Sequence, residues 1–238
     1  MRAQPEQRPP PVQRLRVRYA KRGRLRFTSH RDFSRAFERA VFRARIPMAY
    51  SSGFNPHPRI SYAGAAPTGS ASEAEYLEIG LAEPRDPAVV LEQLAAALPD
   101  GLDVLEVVAS SGGSLADRLE ASRWRVDLPD THVDVARWAV AELLSAEQVS
   151  VERMTKKGLR SFDARAAVLA LAVREQEAGT QTCAILDLVL RHGSPSVRPD
   201  DVLAAMREVS EFSSSPAALQ QRVEQGPWDQ QSGTVGDP

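Results

Sequence analysis

Arg31, Arg35, Arg39 and Arg43 recur every four residues inside a stretch whose apolar positions also have helical spacing, so they form one ridge of a helix. Like charges at that spacing repel by about 0.2–0.5 kcal/mol per pair, and a cation in the first turn, as Arg31 is, opposes the helix dipole. An anion that binds the ridge would account for it; the alternative is a solvated face moderated by Asp32 and Glu38. His30 stands at the helix start, where unpaired amides favour a phosphate. It can serve as a neutral contact or cap, as a phosphate or RNA contact, or as a general base or metal ligand. With Asp32 and His57 it would make a ligand trio for a divalent cation, although Asp32 already fits a capping box with Ser29. Downstream, Gly53-Phe54-Asn55-Pro56-His57-Pro58 is a stiff loop that ends at Arg59. There Phe54 could stack on an unpaired base, Asn55 and His57 supply polar contacts, and Arg59 meet a phosphate; alternatively Phe54 plugs the space beneath the loop.

A second set of arginines precedes the helix. Leu15, Val17 and Tyr19 alternate with Arg14, Arg16 and Arg18, and after the Lys21-Arg22-Gly23 turn Leu25 and Phe27 alternate with Arg24 and Arg26. This reads as two half-buried strand segments with an outward row of arginine. The whole chain carries 30 basic and 31 acidic residues, yet residues 1–62 hold 15 bases against 3 acids, and the remainder holds 15 against 28. A first part at +12 beside a second at −13 suggests a face for a polyanion, nucleic acid being the commonest. The alternative is that the basic part pairs with acids within the molecule.

These residues must be positioned by a fold. Ser29 caps a helix whose stripe is Phe33, Ala36, Phe37, Ala40, Val41 and Ala44, stopped by Pro47. Short strands are expected at 48–50, 59–63 and 75–81, a helix at 87–98 and a strand at 102–108. The order strand, helix, strands, helix, strand is that of a ferredoxin-like unit. After a Ser/Gly linker it recurs, with strands at 123–128, 149–154, 164–174 and 184–192, helices at 133–144 and 199–209, and a second basic turn at Lys156-Lys157-Gly158. The expected fold class is therefore α+β: two tandem ferredoxin-like units, 13–109 and 122–210, joined by a linker at 110–121, with disordered ends at 1–12 and 211–238. One larger α+β domain is the alternative.

Other features narrow the function. No apolar run reaches the roughly 20 residues of a membrane span, and the N-terminus lacks the apolar core of a secretory signal, so a cytoplasmic protein without membrane partners is expected. Cys183 is the only cysteine, which rules out an intramolecular disulfide and a cysteine-based cluster. No phosphate-binding loop, dinucleotide fingerprint, nucleophile elbow or His-Glu-x-x-His helix occurs, and no cofactor or metal is expected.

The run Phe27-Thr28-Ser29-His30-Arg31-Asp32, then Arg35, Arg39-Ala40, Ile46-Pro47, Ser52 through Arg59-Ile60-Ser61-Tyr62, Gly69 and Glu75-Tyr76 resembles the radical SAM-linked bacterial domain of unknown function. The resemblance spans about residues 14 to 210 and is most specific between 27 and 81. It implies a separately encoded radical SAM enzyme as partner, because this chain has no Cys-x3-Cys-x2-Cys motif. It also implies an RNA context, since relatives tend to neighbour ribonuclease E/G genes. Together with the charge split, the leading expectation is a non-catalytic accessory that binds tRNA or rRNA. Two rivals stand beside it. One is a metal-independent endoribonuclease, similar in layout to CRISPR-repeat processing enzymes, in which His30 takes the 2′-hydroxyl proton and Arg31 or Arg59 stabilises the phosphorane. The other is an interaction module whose basic half docks on an acidic partner.

Overall fold

Alternation puts Leu15, Val17 and Tyr19 on one face of β1 (Gln13–Lys21), all buried. The computed structural model, which describes residues 7–155, 158–178, 181–213 and 218–238, places β1 antiparallel to both β3 (Ala71–Leu81) and β4 (Val104–Ala109). A short strand, β2 (Ile60–Ala63), pairs antiparallel with β3. The spatial order is therefore β4-β1-β3-β2. Two helices, α1 (His30–Arg43) and α2 (Pro87–Ala97), cover one face: Phe33, Phe37 and Val41 of α1 and Val90 and Leu94 of α2 join Leu15, Val17, Leu77, Ile79 and Val107 in one core. The fold is mixed α+β with antiparallel pairing.

The chain divides into two units between Asp117 and Arg118, within the one-turn helix α3 (Leu115–Arg118). In the second unit β5 (Ala121–Leu128) pairs with β9 (Gln181–Arg191) and with β10 (Leu219–Gly226), and β9 pairs with β8 (Val168–Ala178). The order β10-β5-β9-β8 is again antiparallel throughout. Helices α4 (Val133–Ser145) and α5 (Pro199–Val209) bury Ala136, Ala139, Leu143, Val202, Leu203 and Met206. Strands β6 (Ser150–Thr155) and β7 (Gly158–Asp163) form a separate hairpin, so the strand expected at 149–154 does not belong to the sheet. Lys156 and Lys157 lie outside the described residues.

Three expectations are corrected. Residues 24–27 form no strand: Gly23 adopts a left-handed φ of 54°, the chain turns into a 3-10 helix (Gly23–Phe27), and Phe27 points to solvent at 59 % exposure. Four alternating residues are too few to distinguish a strand from such a turn. The expected tail, 211–238, supplies β10 and a small pair, β11 (Trp228–Asp229) with β12 (Thr234–Val235). Its Phe212, Arg222, Gln225 and Val235 are buried, and a Cβ on Gly226 would stand 1.8 Å from the Gly236 carbonyl oxygen. The N-terminal stretch read as disordered to residue 12 has, in its described part, an Arg8 amide donating to Ser52 Oγ (2.9 Å) and a Val12 amide donating to the Leu81 carbonyl (2.9 Å). Among the described residues no helix is long and apolar enough to cross a membrane.

Candidate nucleic-acid interface

The arginines of β1 and those of α1 differ in their surroundings. Those of β1 are held by carboxylates and carbonyls of the first unit. Arg16 is 4 % exposed; it donates to the Gly112 carbonyl (2.8 Å) and lies 3.7 Å from the Glu78 carboxylate. Glu78 also accepts from Arg14 (3.0 Å) and from the Ser110 hydroxyl (2.8 Å). Arg18 donates to the Glu73 carbonyl (2.9 Å), and Arg22 pairs with Glu73 and Asp103, which hold its pKa above the ordinary arginine value. Cross-strand register explains the Arg16–Glu78 contact, since the two residues face each other in β1 and β3. Arg14, Arg16 and Arg22 thus pair with acids of their own unit. The same contacts fasten residues 110–112, the first part of the expected linker, to the first unit; the Ser110 amide also donates to the Arg14 carbonyl (2.9 Å). Arg26 lies over the Phe27 ring, 4.8 Å from its centroid, and Arg24 is exposed.

The helix arginines differ. Ser29 Oγ accepts from the Asp32 amide (3.2 Å) and donates to the Asp32 carboxylate (2.6 Å), so the cap forms, with the carboxylate engaging the hydroxyl. That contact withdraws Asp32 from the ridge. Arg31, Arg35, Arg39 and Arg43 are exposed, and among the described residues none makes an ion pair or a side-chain hydrogen bond. Glu38, one position from Arg39, is likewise exposed and unpaired among them.

One residue that the sequence reading passed over completes this face. Phe42 follows Arg35 by seven positions and Arg39 by three, which at about 100° per residue puts it on the arginine side. It is 81 % exposed. A signal was available, because an aromatic off the apolar stripe of an amphipathic helix has no place in the core. Arg35, Glu38, Arg39, Phe42 and Arg43 line a shallow cavity of about 540 Å³. Next to it, a cavity of about 620 Å³ runs from Glu38, Phe42, Arg43 and Arg45 across Ile46 and Met48 to Tyr50 and Pro58.

Tyr50 and Pro58 are the base of the Gly53–Arg59 loop, closed by a backbone bridge between them and by the Ser51 amide donating to the His57 carbonyl (2.9 Å). Phe54 is 70 % exposed at the loop tip and is therefore no plug; Asn55 and His57 are exposed beside it. Arg59 turns back on the base of the loop, its Nε donating to the Tyr50 carbonyl (3.3 Å), and it also lines a cavity of about 240 Å³ with Arg14, Ser61 and Glu78. The predicted residues thus split three ways: Arg31, Arg35 and Arg39 on α1, Phe54, Asn55, His57 and Arg59 on the loop, and Arg16 and Arg18 with the sheet.

His30 is exposed, its ring edge-on to Tyr62 at 4.9 Å between centroids. Burial raises the Tyr62 hydroxyl pKa, the Ser34 hydroxyl lowers it and the Glu38 charge raises it. Among the described residues no side chain hydrogen-bonds the His30 imidazole. No group of three or more His, Cys, Asp or Glu side chains among them is placed to hold a metal, so His30, Asp32 and His57 do not form the ligand trio.

No curated protein matches the chain. A family model described as an uncharacterized protein conserved in bacteria, DUF2344, matches residues 14–199, which takes in α1, its ridge and the loop. By that match, across most of its length, the chain belongs to the DUF2344 family of conserved bacterial proteins.

Proposed function

We propose that this chain binds RNA, tRNA or rRNA, through the outer face of α1, as a non-catalytic cytoplasmic accessory to a separately encoded radical SAM enzyme. The observation that carries the reading is the contrast between the two arginine populations. Sheet arginines have carboxylates and carbonyls; Arg31, Arg35, Arg39 and Arg43 have none among the described residues and repel one another. A polyphosphate backbone supplies the missing charge, and the exposed Phe42 and Phe54 supply the stacking surfaces that distinguish a nucleic-acid face from a merely solvated one. The radical SAM partner, and ribonuclease E/G as a further one, rest on the family resemblance alone.

On this reading each unit is ferredoxin-like, supported by the matching orders β4-β1-β3-β2 and β10-β5-β9-β8, with β6 and β7 inserted in the second.

The test is binding of labelled tRNA and rRNA fragments to the purified chain across a salt series. Affinity should fall steeply with salt; affinity indifferent to salt would remove the proposal. The arginine ridge taken alone would also suit an acidic protein partner. Capture of a radical SAM protein that survives nuclease treatment, with no RNA binding by the pure chain, would favour that second reading. The pure chain should also leave the RNA intact; cleavage lost in His30→Ala would turn the reading to an endoribonuclease.

A further inference from the structure

We infer that the cavity beneath Phe42 takes one unpaired nucleotide of the bound RNA, and that it favours guanine; this rests on the RNA-binding reading above. The cavity combines three kinds of group. Its floor is apolar, with Ile46 and Met48 6 % and 7 % exposed and Val41 and Pro47 beside them. Its rim is cationic, from Arg43 and Arg45, both exposed and without an ion pair among the described residues. Its aromatic walls are Phe42 and Tyr50, and the Arg8 guanidinium lies 5.6 Å from the Tyr50 ring centroid.

At about 620 Å³ and open to solvent on one side, it has room for a single base. A base stacked on Phe42 over an apolar floor, with its phosphate on Arg43 or Arg45, satisfies all three surfaces. A paired base cannot enter, because both its faces are stacked and its edge is occupied. The occupant is therefore single-stranded, a loop or bulge nucleotide.

Glu38 gives the base preference. It lines both cavities, one turn before Phe42; its charge reaches the Tyr62 hydroxyl, and it has no ion pair among the described residues although Arg35, Arg39 and Arg45 are close in sequence. A carboxylate at a phosphate-binding surface opposes the backbone unless it meets hydrogen-bond donors. Guanine alone presents two adjacent Watson–Crick donors, N1–H and N2–H, which match a carboxylate bidentately; uracil presents one, at N3.

The experiment is fluorescence anisotropy at about 0.1 M salt with end-labelled UUUGUUU, the same heptamer with inosine for guanosine, UUUUUUU, and a duplex of equal length. UUUGUUU should bind about tenfold more tightly than UUUUUUU, with the inosine heptamer between them because it lacks the N2 amine, and the duplex weakest. Phe42→Ala should weaken UUUGUUU about tenfold or more. Glu38→Gln should bring the guanine-to-uracil ratio close to one. Both positions are exposed, so thermal unfolding of the variants should match the wild type and exclude misfolding as the cause. Duplex binding as tight as single strand, or Phe42→Ala binding like wild type, overturns the nucleotide pocket and leaves RNA binding standing. A guanine preference that survives Glu38→Gln overturns the role of the carboxylate. Failure of every RNA to bind overturns the functional reading itself.

Discussion

Replacing Arg31, Arg35 and Arg39 together by alanine moves two quantities in opposite directions. Stability should rise: the variant loses the like-charge pairs 31–35, 35–39 and 39–43, each about 0.2–0.5 kcal/mol, and the first-turn cation that opposes the dipole. No ion pair among the described residues is lost in exchange, and Phe33, Phe37 and Val41 keep the inner face of α1 in the core. The net gain is about 1 kcal/mol. RNA affinity should fall. Three phosphate contacts contribute about 2 to the slope of log affinity against log salt for single strands. That amounts to a loss of about 100-fold at 0.1 M salt, shrinking toward nothing near 1 M. Calorimetric or circular-dichroism melting gives the first quantity and anisotropy over a salt series the second. An unchanged slope would remove the ridge as the binding surface. A lowered melting temperature would show that the arginines are compensated in a way the ion-pair geometry does not account for, and the reasoning behind the proposal would fail with it.

Three further outcomes test other parts of the molecule. Arg16→Ala, which leaves Glu78 and the Gly112 carbonyl without a buried cation, should cost about 3 kcal/mol in urea unfolding while the folded variant keeps its RNA affinity; loss of binding without loss of stability would return the sheet arginines to the interface. His192 is held below its ordinary value of 6.5 by burial, against the Leu119 carbonyl and with the Arg222 cation. The unfolded chain therefore takes a proton that the fold refuses: stability is full above about pH 6.5 and falls as the pH drops, and His192→Gln should flatten that slope between about pH 7 and pH 5 in urea midpoints, an unaltered slope counting against it. Truncation after residue 213 removes β10 and leaves the ladder groups of β5 without their partner, so the shortened chain should aggregate or melt well below the full one; a truncated chain as stable as the whole would refute the role of β10 in the second unit.

The helix and its cap were legible in the sequence because short-range chemistry determines them: Ser29 and Asp32 are three residues apart, and the stripe from Phe33 to Ala44 repeats at helical spacing. Strands β3 and β9 were legible for the same reason, β3 from the alternation of Leu77, Ile79 and Leu81 and β9 from its apolar run. β10 was not: LQQRVEQG offers only Leu219 and Val223 as apolar residues, and its burial rests on polar side chains such as Arg222 and Gln225, which bond to each other. The site divided on the same principle. Spacing alone placed Arg31, Arg35 and Arg39 on one ridge. Which arginines stay uncompensated depends on partners 50 to 100 residues away, Glu73, Glu78 and Gly112, which only the folded chain brings beside them. Phe42 meets Tyr50 and Pro58 around one cavity only because the chain, stopped as a helix before Pro47, returns beside α1. Charge and periodicity are written locally; the pairing that cancels one basic face and leaves the other open belongs to the tertiary structure.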